Sequence, residues 1–166
     1  VIQPQYDYRS GIGTDIHRLV PERKLVLGGI EIAFELGLLG HSDGDAVLHA
    51  VTDAILGAAG LGDIGMMFPD TDPQWKDADS AELLKQVVRK VSQQGWEIVN
   101  VDLIVHAQLP KLGPYRGQMK RRIAELLEMD FANVNIKAKT NEGLDAVGEC
   151  RAIAATAITM LRRKVK

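Results

Sequence analysis

A single cysteine, Cys150, in 166 residues excludes an internal disulfide framework and fits a reducing compartment. It stands too isolated to indicate thiol catalysis. Long apolar runs are also missing. No stretch approaches the roughly 18 residues of a membrane span, and the first ten residues lack the charged-then-apolar layout of a secretory signal. The chain opens on Val1 rather than Met, which leaves room for a leader upstream. Charge of one sign is scarce: 20 basic against 22 acidic side chains give a net charge of −2, which excludes the basic balance behind non-specific nucleic-acid binding. The locally basic tail Leu161-Arg-Arg-Lys-Val-Lys166 is read as the end of a helix, where cations favour the macrodipole. With no repeat, low-complexity tract or linker, residues 1–166 read as one domain large enough for a real core, with residues 1–9 a flexible extension.

What is present alternates between two periods. Ser10 to His17 reads as a strand, and Lys24 to Gly28 with Ile30 to Phe34 as a hairpin about Gly28-Gly29. Leu36 to Gly44 reads as loop and Asp45 to Ala59 as a helix stopped by Gly60. The connection Leu61 to Asp79 is longer than the roughly 12 to 15 residues common in compact domains, the mark of a lid or binding loop. A second helix spans Ser80 to Gln94, and the β-branched run Trp96 to Gln108 predicts a long strand. A third helix follows over Tyr115 to Glu128, then a strand over Val134 to Lys139 and a Gly-rich connection over Thr140 to Gly148. The alanine-rich segment Cys150 to Arg163 reads as a last helix. The sum is a two-layer α/β (α+β) sandwich with a mixed sheet covered by helices.

Two segments carry the chemistry. Asp15-Ile-His17 on a strand places both side chains on one face, and His49 lies about one turn inside the first helix, after His41-Ser-Asp43-Gly-Asp45. Two imidazoles and one carboxylate would leave the fourth position of a tetrahedral zinc open, as a catalytic zinc requires. Spacing leaves another reading open, with Asp43 or Asp45 a helix cap and His49 a packed or solvated residue. Asp53, one turn after His49, is a candidate for orienting that imidazole, whereas His106 is read as a satisfied core or interface residue.

Taken together, Gly-Ile-Gly-Thr-Asp15-Ile-His17, Gly40-His41-Ser42-Asp43-Gly44-Asp45 through His49, Leu61-Gly-Asp63-Ile64-Gly65, Phe68-Pro69-Asp70-Thr71-Asp72-Pro73, Gln108-Leu109-Pro110-Lys111 and Lys139-Thr140-Asn141-Glu142 resemble the 2-C-methyl-D-erythritol 2,4-cyclodiphosphate synthase family of the non-mevalonate isoprenoid pathway. The resemblance runs from Gly11 to the last predicted element. It implies zinc on Asp15, His17 and His49, and magnesium or manganese on Glu142 and diphosphate oxygens. It implies substrate contacts from His41, Ser42, Asp63 and Gly65, a pocket border at Phe68 and Asp70, and a cytosine frame of Ala107, Leu109, Pro110 and Lys111. Lys139 and Thr140 fall beside the phosphates.

The implied reaction is metal-dependent cyclisation of 4-diphosphocytidyl-2-C-methyl-D-erythritol 2-phosphate with release of CMP. The implied assembly is a homotrimer with sheets facing the threefold axis, active sites between adjacent subunits and room on the axis for an isoprenoid diphosphate. The implied compartment is a bacterial cytoplasm or a plastid stroma. One departure stands out. Where many members read Gly-Arg-Gly-Glu-Gly, this chain has Gly148-Glu149-Cys150-Arg151-Ala152, which resembles the family's other version of the motif and makes Glu149 and Arg151 candidates for pairing between subunits.

Overall fold

Gly11, Gly13, Asp15 and His17 alternate on one face of a 15-residue strand, β1 (Tyr6–Val20), in the computed structural model, which describes residues 4–165. The chain continues through β2 (Leu25–Leu27), β3 (Ile30–Ile32), β4 (Gly37–Leu38), α1 (Ala46–Ala59), α2 (Ile64–Met67) and α3 (Ser80–Gln93). It ends with β5 (Glu97–His106), α4 (Arg116–Leu126), β6 (Val134–Lys139), α5 (Asp145–Gly148) and β7 (Ala152–Lys164). Five strands form a mixed sheet in the order β4-β1-β7-β5-β6, with β5 and β6 parallel and the other pairs antiparallel. β2 and β3 pair as a separate hairpin about Gly28-Gly29.

Small residues set how closely the helical layer approaches. A Cβ on Gly11 would lie 2.0 Å from the Ala54 carbonyl oxygen, and one on Gly13 would lie 2.1 Å from that of Ala50, so α1 rests directly on the backbone of β1. This contact brings His49 over Asp15 and His17. Gly13→Ala should therefore push α1 off the strand, cost about 3 kcal/mol as an overpacked core does, and weaken metal binding. Urea midpoints and metal titration of the same variant check both effects.

The C-terminal segment corrects the helical reading. Residues 152–164 are the central strand β7, flanked by β1 and β5. Ile153, Ala155, Ala157, Thr159 and Leu161 are buried beneath the helices, and the residues between them face the other way. Alanine's helix propensity misleads here, because the small side chains make room for α1 while the period-2 pattern decides the element. The basic tail is strand as well. Arg162 pairs with Glu97 at 2.7 Å and Arg163 stacks over Trp96 at 4.3 Å, so no helix dipole is involved.

Smaller corrections follow. The expected N-terminal extension is strand from Tyr6 onward, and residues 1–3 lie outside the described residues. The long connection contains α2 and a 3₁₀ turn at Pro73–Trp75, the loop before α1 contains β4, and the Gly-rich connection contains α5. Helices cover only one face of the sheet. On the other, Ile12 and its cross-strand partner Ile158 are 64% and 49% exposed, and Ile16 is 58% exposed. Among the described residues no helix is long and apolar enough to cross a membrane.

Candidate metal centre

Three donor atoms converge where β1 meets α1. Asp15 Oδ2 lies 2.8 Å from His17 Nε2 and 2.9 Å from His49 Nδ1, and the two nitrogens are 3.2 Å apart. A tetrahedral ion with bonds of about 2.0–2.1 Å has ligand-to-ligand edges of about 3.3 Å, so a shift of a few tenths of an ångström seats one. The remaining ring nitrogens define the tautomers. His17 Nδ1–H donates to the Leu39 carbonyl at 2.6 Å, which leaves the Nε2 lone pair facing Asp15.

His49 is held by a longer chain. Its Nε2–H donates to Ser80 Oγ at 2.8 Å, with Ser42 Oγ at 3.1 Å, and the Ser80 hydroxyl donates to Asp43 Oδ1 at 2.5 Å. The Ser80 N–H also reaches Asp43 Oδ2 at 3.1 Å, so one carboxylate grips the serine twice. The His49 Nδ1 lone pair is thereby turned to the centre. Three lone pairs meeting at one point are the electrostatic condition for a divalent cation, and this donor set fits the zinc that the resemblance implies.

A proton on either facing ring nitrogen can occupy the same point, and carboxylate and imidazole then hold each other charged. Burial pushes the Asp15 carboxyl up, but hydrogen bonds from His17 and His49 outweigh it and hold the group well below the usual carboxylate range. His17 is raised, chiefly by its hydrogen bond to Asp15 and against its own burial.

Beside the donors opens a cavity of about 320 Å³, lined by His17, His41, Ser42, His49, Ile64, Gly65, Phe68, Pro69, Asp70, Trp75 and Leu83. Of the residues singled out in the sequence, His41, Gly65, Phe68 and Asp70 thus share one space with the imidazoles. Phe68 is buried and meets Trp75 edge-on at 5.0 Å between centroids. The Ser42 hydroxyl is turned inward, against His49 and the Gly44 N–H. Asp63 caps α2, accepting the Met66 N–H at 2.8 Å.

Asp53 does not orient His49. Its Oδ1 accepts the Ile64 N–H at 2.7 Å, tying α1 to α2, and both nitrogens of His49 are engaged elsewhere. Burial pushes its carboxyl up, against the Ile64 N–H that holds it down. The orienting role belongs to Ser80 and Asp43, which by spacing alone are helix-start residues; Ser80 is 1% exposed, a burial no spacing rule reveals. Ser80→Ala should lower metal affinity about 10- to 100-fold with the fold retained. Competition with a chromophoric chelator measures it.

Ala107, Leu109, Pro110, Lys111, Lys139, Thr140 and Glu142 do not line that cavity. They gather at and just past the ends of β5 and β6, where the Ala107 N–H donates to the Lys139 carbonyl at 2.9 Å and the Leu109-Pro110 bond is cis. The Thr140 hydroxyl donates to Glu142 Oε1 at 2.6 Å. Asp15 stands in register with Ala155, Val105 and Ala138 in turn, so two strand spacings separate β1 from β5 and three, about 14 Å, separate it from β6, the two strands whose ends carry the second group. Within the chain Glu149 and Arg151 pair with each other at 2.5 Å.

A helix-backed mixed sheet that sets two imidazoles and a carboxylate beside an open cavity is an α/β fold with the donor set of a metal site. A family model described as the YgbB family matches residues 8–162. The 2-C-methyl-D-erythritol 2,4-cyclodiphosphate synthase of Bordetella avium is 56% identical over 157 residues, covering 95% of this chain and 97% of that one. The synthase of Neisseria gonorrhoeae is 57% identical over 155 residues, covering 93% and 97%. Among solved structures, the Plasmodium falciparum IspF complex with CDP superposes with a TM-score of 0.84 at 36% identity over 95% of this chain and 97% of that one. The bifunctional IspDF of Campylobacter jejuni gives 0.92 at 44% identity over 96% of this chain, which spans only 43% of that longer protein. The chain belongs to the YgbB family and is an enzyme of the 2-C-methyl-D-erythritol 2,4-cyclodiphosphate synthase kind.

Proposed function

We propose that this protein cyclises 4-diphosphocytidyl-2-C-methyl-D-erythritol 2-phosphate to 2-C-methyl-D-erythritol 2,4-cyclodiphosphate and CMP. The observation that carries this reading is the convergence of Asp15, His17 and His49 beside a cavity in a chain 56% identical to a synthase of that name. The 2-phosphate oxygen forms a bond to the β-phosphorus as the bond from that phosphorus to the bridging oxygen breaks, and CMP leaves with the electron pair. The nucleophile is already anionic at neutral pH, so no Ser-His pair or side-chain base is needed.

Bound zinc on Asp15, His17 and His49, with magnesium or manganese on Glu142, would supply positive charge to the phosphate oxygens. The protein's own residues bend the substrate and hold its ends in line. In this reading His41 and Ser42 border the phosphate and erythritol, and Asp63 and Gly65 hold the erythritol hydroxyls, since a carboxylate accepts from a polyol and repels a phosphate. Ala107, Leu109, Pro110 and Lys111 frame cytosine, and Lys139 and Thr140 bind phosphate. The inward turn of the Ser42 hydroxyl leaves its contact to the backbone.

The same reading makes the protein a homotrimer, with the bare sheet faces turned to a threefold axis. The exposed Ile12, Ile16 and Ile158 on that face support it, as does the distance between the metal side and the cytosine side within one chain. The zinc side of one subunit then completes its site with the cytosine side of the next, and an isoprenoid diphosphate could lie against the apolar lining of the axis. In this reading the compartment is a bacterial cytoplasm, which the bacterial relatives support.

Phosphorus NMR of the product tests the reaction. The cyclic diphosphate upholds the reading, whereas a linear phosphate would make the protein a hydrolase. Sedimentation of Ile12→Asp tests the assembly: a monomer without turnover but with its zinc retained is the expected result.

A further inference from the structure

The loop between β6 and α5 is braced by three side chains that the reaction does not use. His106, the last residue of β5, donates its Nδ1–H to Asn141 Oδ1 at 2.9 Å. The amide of Asn141 donates in turn to Asp145 Oδ2 at 2.9 Å, and Asp145 Oδ1 accepts the Val147 N–H at 2.8 Å. The relay therefore runs from the sheet, through the middle of the loop, to the first turn of α5.

The loop needs such a hold. Glu142 has φ 51° and Asp145 φ 59°, left-handed conformations that cost a non-glycine residue about 1–2 kcal/mol and persist only where the surroundings impose them. The Asn141 carbonyl accepts the Leu144 N–H at 2.8 Å, closing a turn around Glu142 and Gly143. A Cβ on Gly148 would lie 2.4 Å from the Gly143 carbonyl carbon, so the far end of the loop folds back on its start. The strained residue at the apex is the carboxylate that Thr140 already pins.

We propose that His106, Asn141 and Asp145 are positioning residues that hold the 140–148 loop so that the Glu142 carboxylate is preset for a divalent cation bridged to a nucleoside diphosphate. This rests on the reading of Glu142 given under the proposed function. None of the three touches the cation. They act by removing the conformational freedom that Glu142 would lose on binding it.

The test uses zinc-loaded protein titrated with Mn²⁺ in the presence of CDP, followed by electron paramagnetic resonance, with amide hydrogen exchange of residues 140–148 measured on the same samples. His106→Leu should weaken Mn²⁺ binding about tenfold and speed exchange in the loop, with zinc content and circular dichroism unchanged. His106→Asn, whose amide N–H can take the place of Nδ1–H, should restore both. Parental Mn²⁺ affinity and parental exchange in His106→Leu would overturn the relay. Glu142→Gln separates the two ideas: if Mn²⁺ binding survives it, the cation reading of Glu142 fails, and exchange in His106→Leu alone decides whether the relay holds the loop.

Discussion

Replacing His49 with alanine should abolish metal binding at the Asp15, His17 and His49 donors and lower turnover at least about a thousandfold, with the fold intact. A bound metal supplies several kcal/mol of transition-state charge stabilisation, and each 1.36 kcal/mol is tenfold in rate, so its loss is worth about 10³ to 10⁴. His49 carries that whole effect because its ligand atom is the only one on the helix; Asp15 and His17 come from the strand. Two donors 2.8 Å apart on a strand form an open pair that holds a cation far less tightly than three. His41→Ala is the informative control. It lines the same cavity without entering the donor set, so it should keep the metal and lose activity chiefly through KM. Metal analysis and CMP release, measured side by side, separate the two outcomes. If His49→Ala kept its metal and its rate, the donor set itself would be misassigned.

Those three donors were legible in the sequence because strand and helix periods are local. Period-2 spacing places Asp15 beside His17, and the cap signal of Asp45 places His49 one turn into α1. The hairpin, α3 and β5 were legible for the same reason. β7 was not, because its alanines serve close packing against α1, a tertiary demand that overrides intrinsic propensity. The support of His49 was hidden for a related reason. Ser80 is 31 residues away from it and meets it only after α3 has docked on α1. Asp53, adjacent on the helix, was the natural local candidate, but its side chain turns to α2 instead. Spacing finds partners on one element; partners between elements depend on how those elements pack.

The same distinction sorts the acids of the His41-Ser-Asp43-Gly-Asp45 motif, and Asp45→Ala should be the most destabilising single change in it. Asp45 is fully buried, and its carboxylate accepts four backbone N–H groups, from Gly28 at 2.9 Å, Gly29 at 2.7 Å, Val47 at 3.1 Å and Leu48 at 3.0 Å. Two belong to the hairpin turn and two to the first turn of α1, so one side chain fastens the hairpin to the helix that carries His49. Alanine would strand all four donors. At about 1–3 kcal/mol for each unsatisfied buried group, offset where water reaches the half-buried Gly29 end, the loss is about 4 kcal/mol. For a domain of this size that lowers Tm by about 10 to 15 °C. Asp45→Asn should lose about half as much. It keeps Oδ1, which accepts three of the four bonds, and sets an amide NH₂ against the Gly29 N–H. Thermal melts rank the two variants. A side chain with no exposed surface cannot touch substrate, so Asp45→Asn assayed well below its melting point should bind metal and turn over close to the parent. A rate that falls with stability unchanged would instead make Asp45 part of the chemistry.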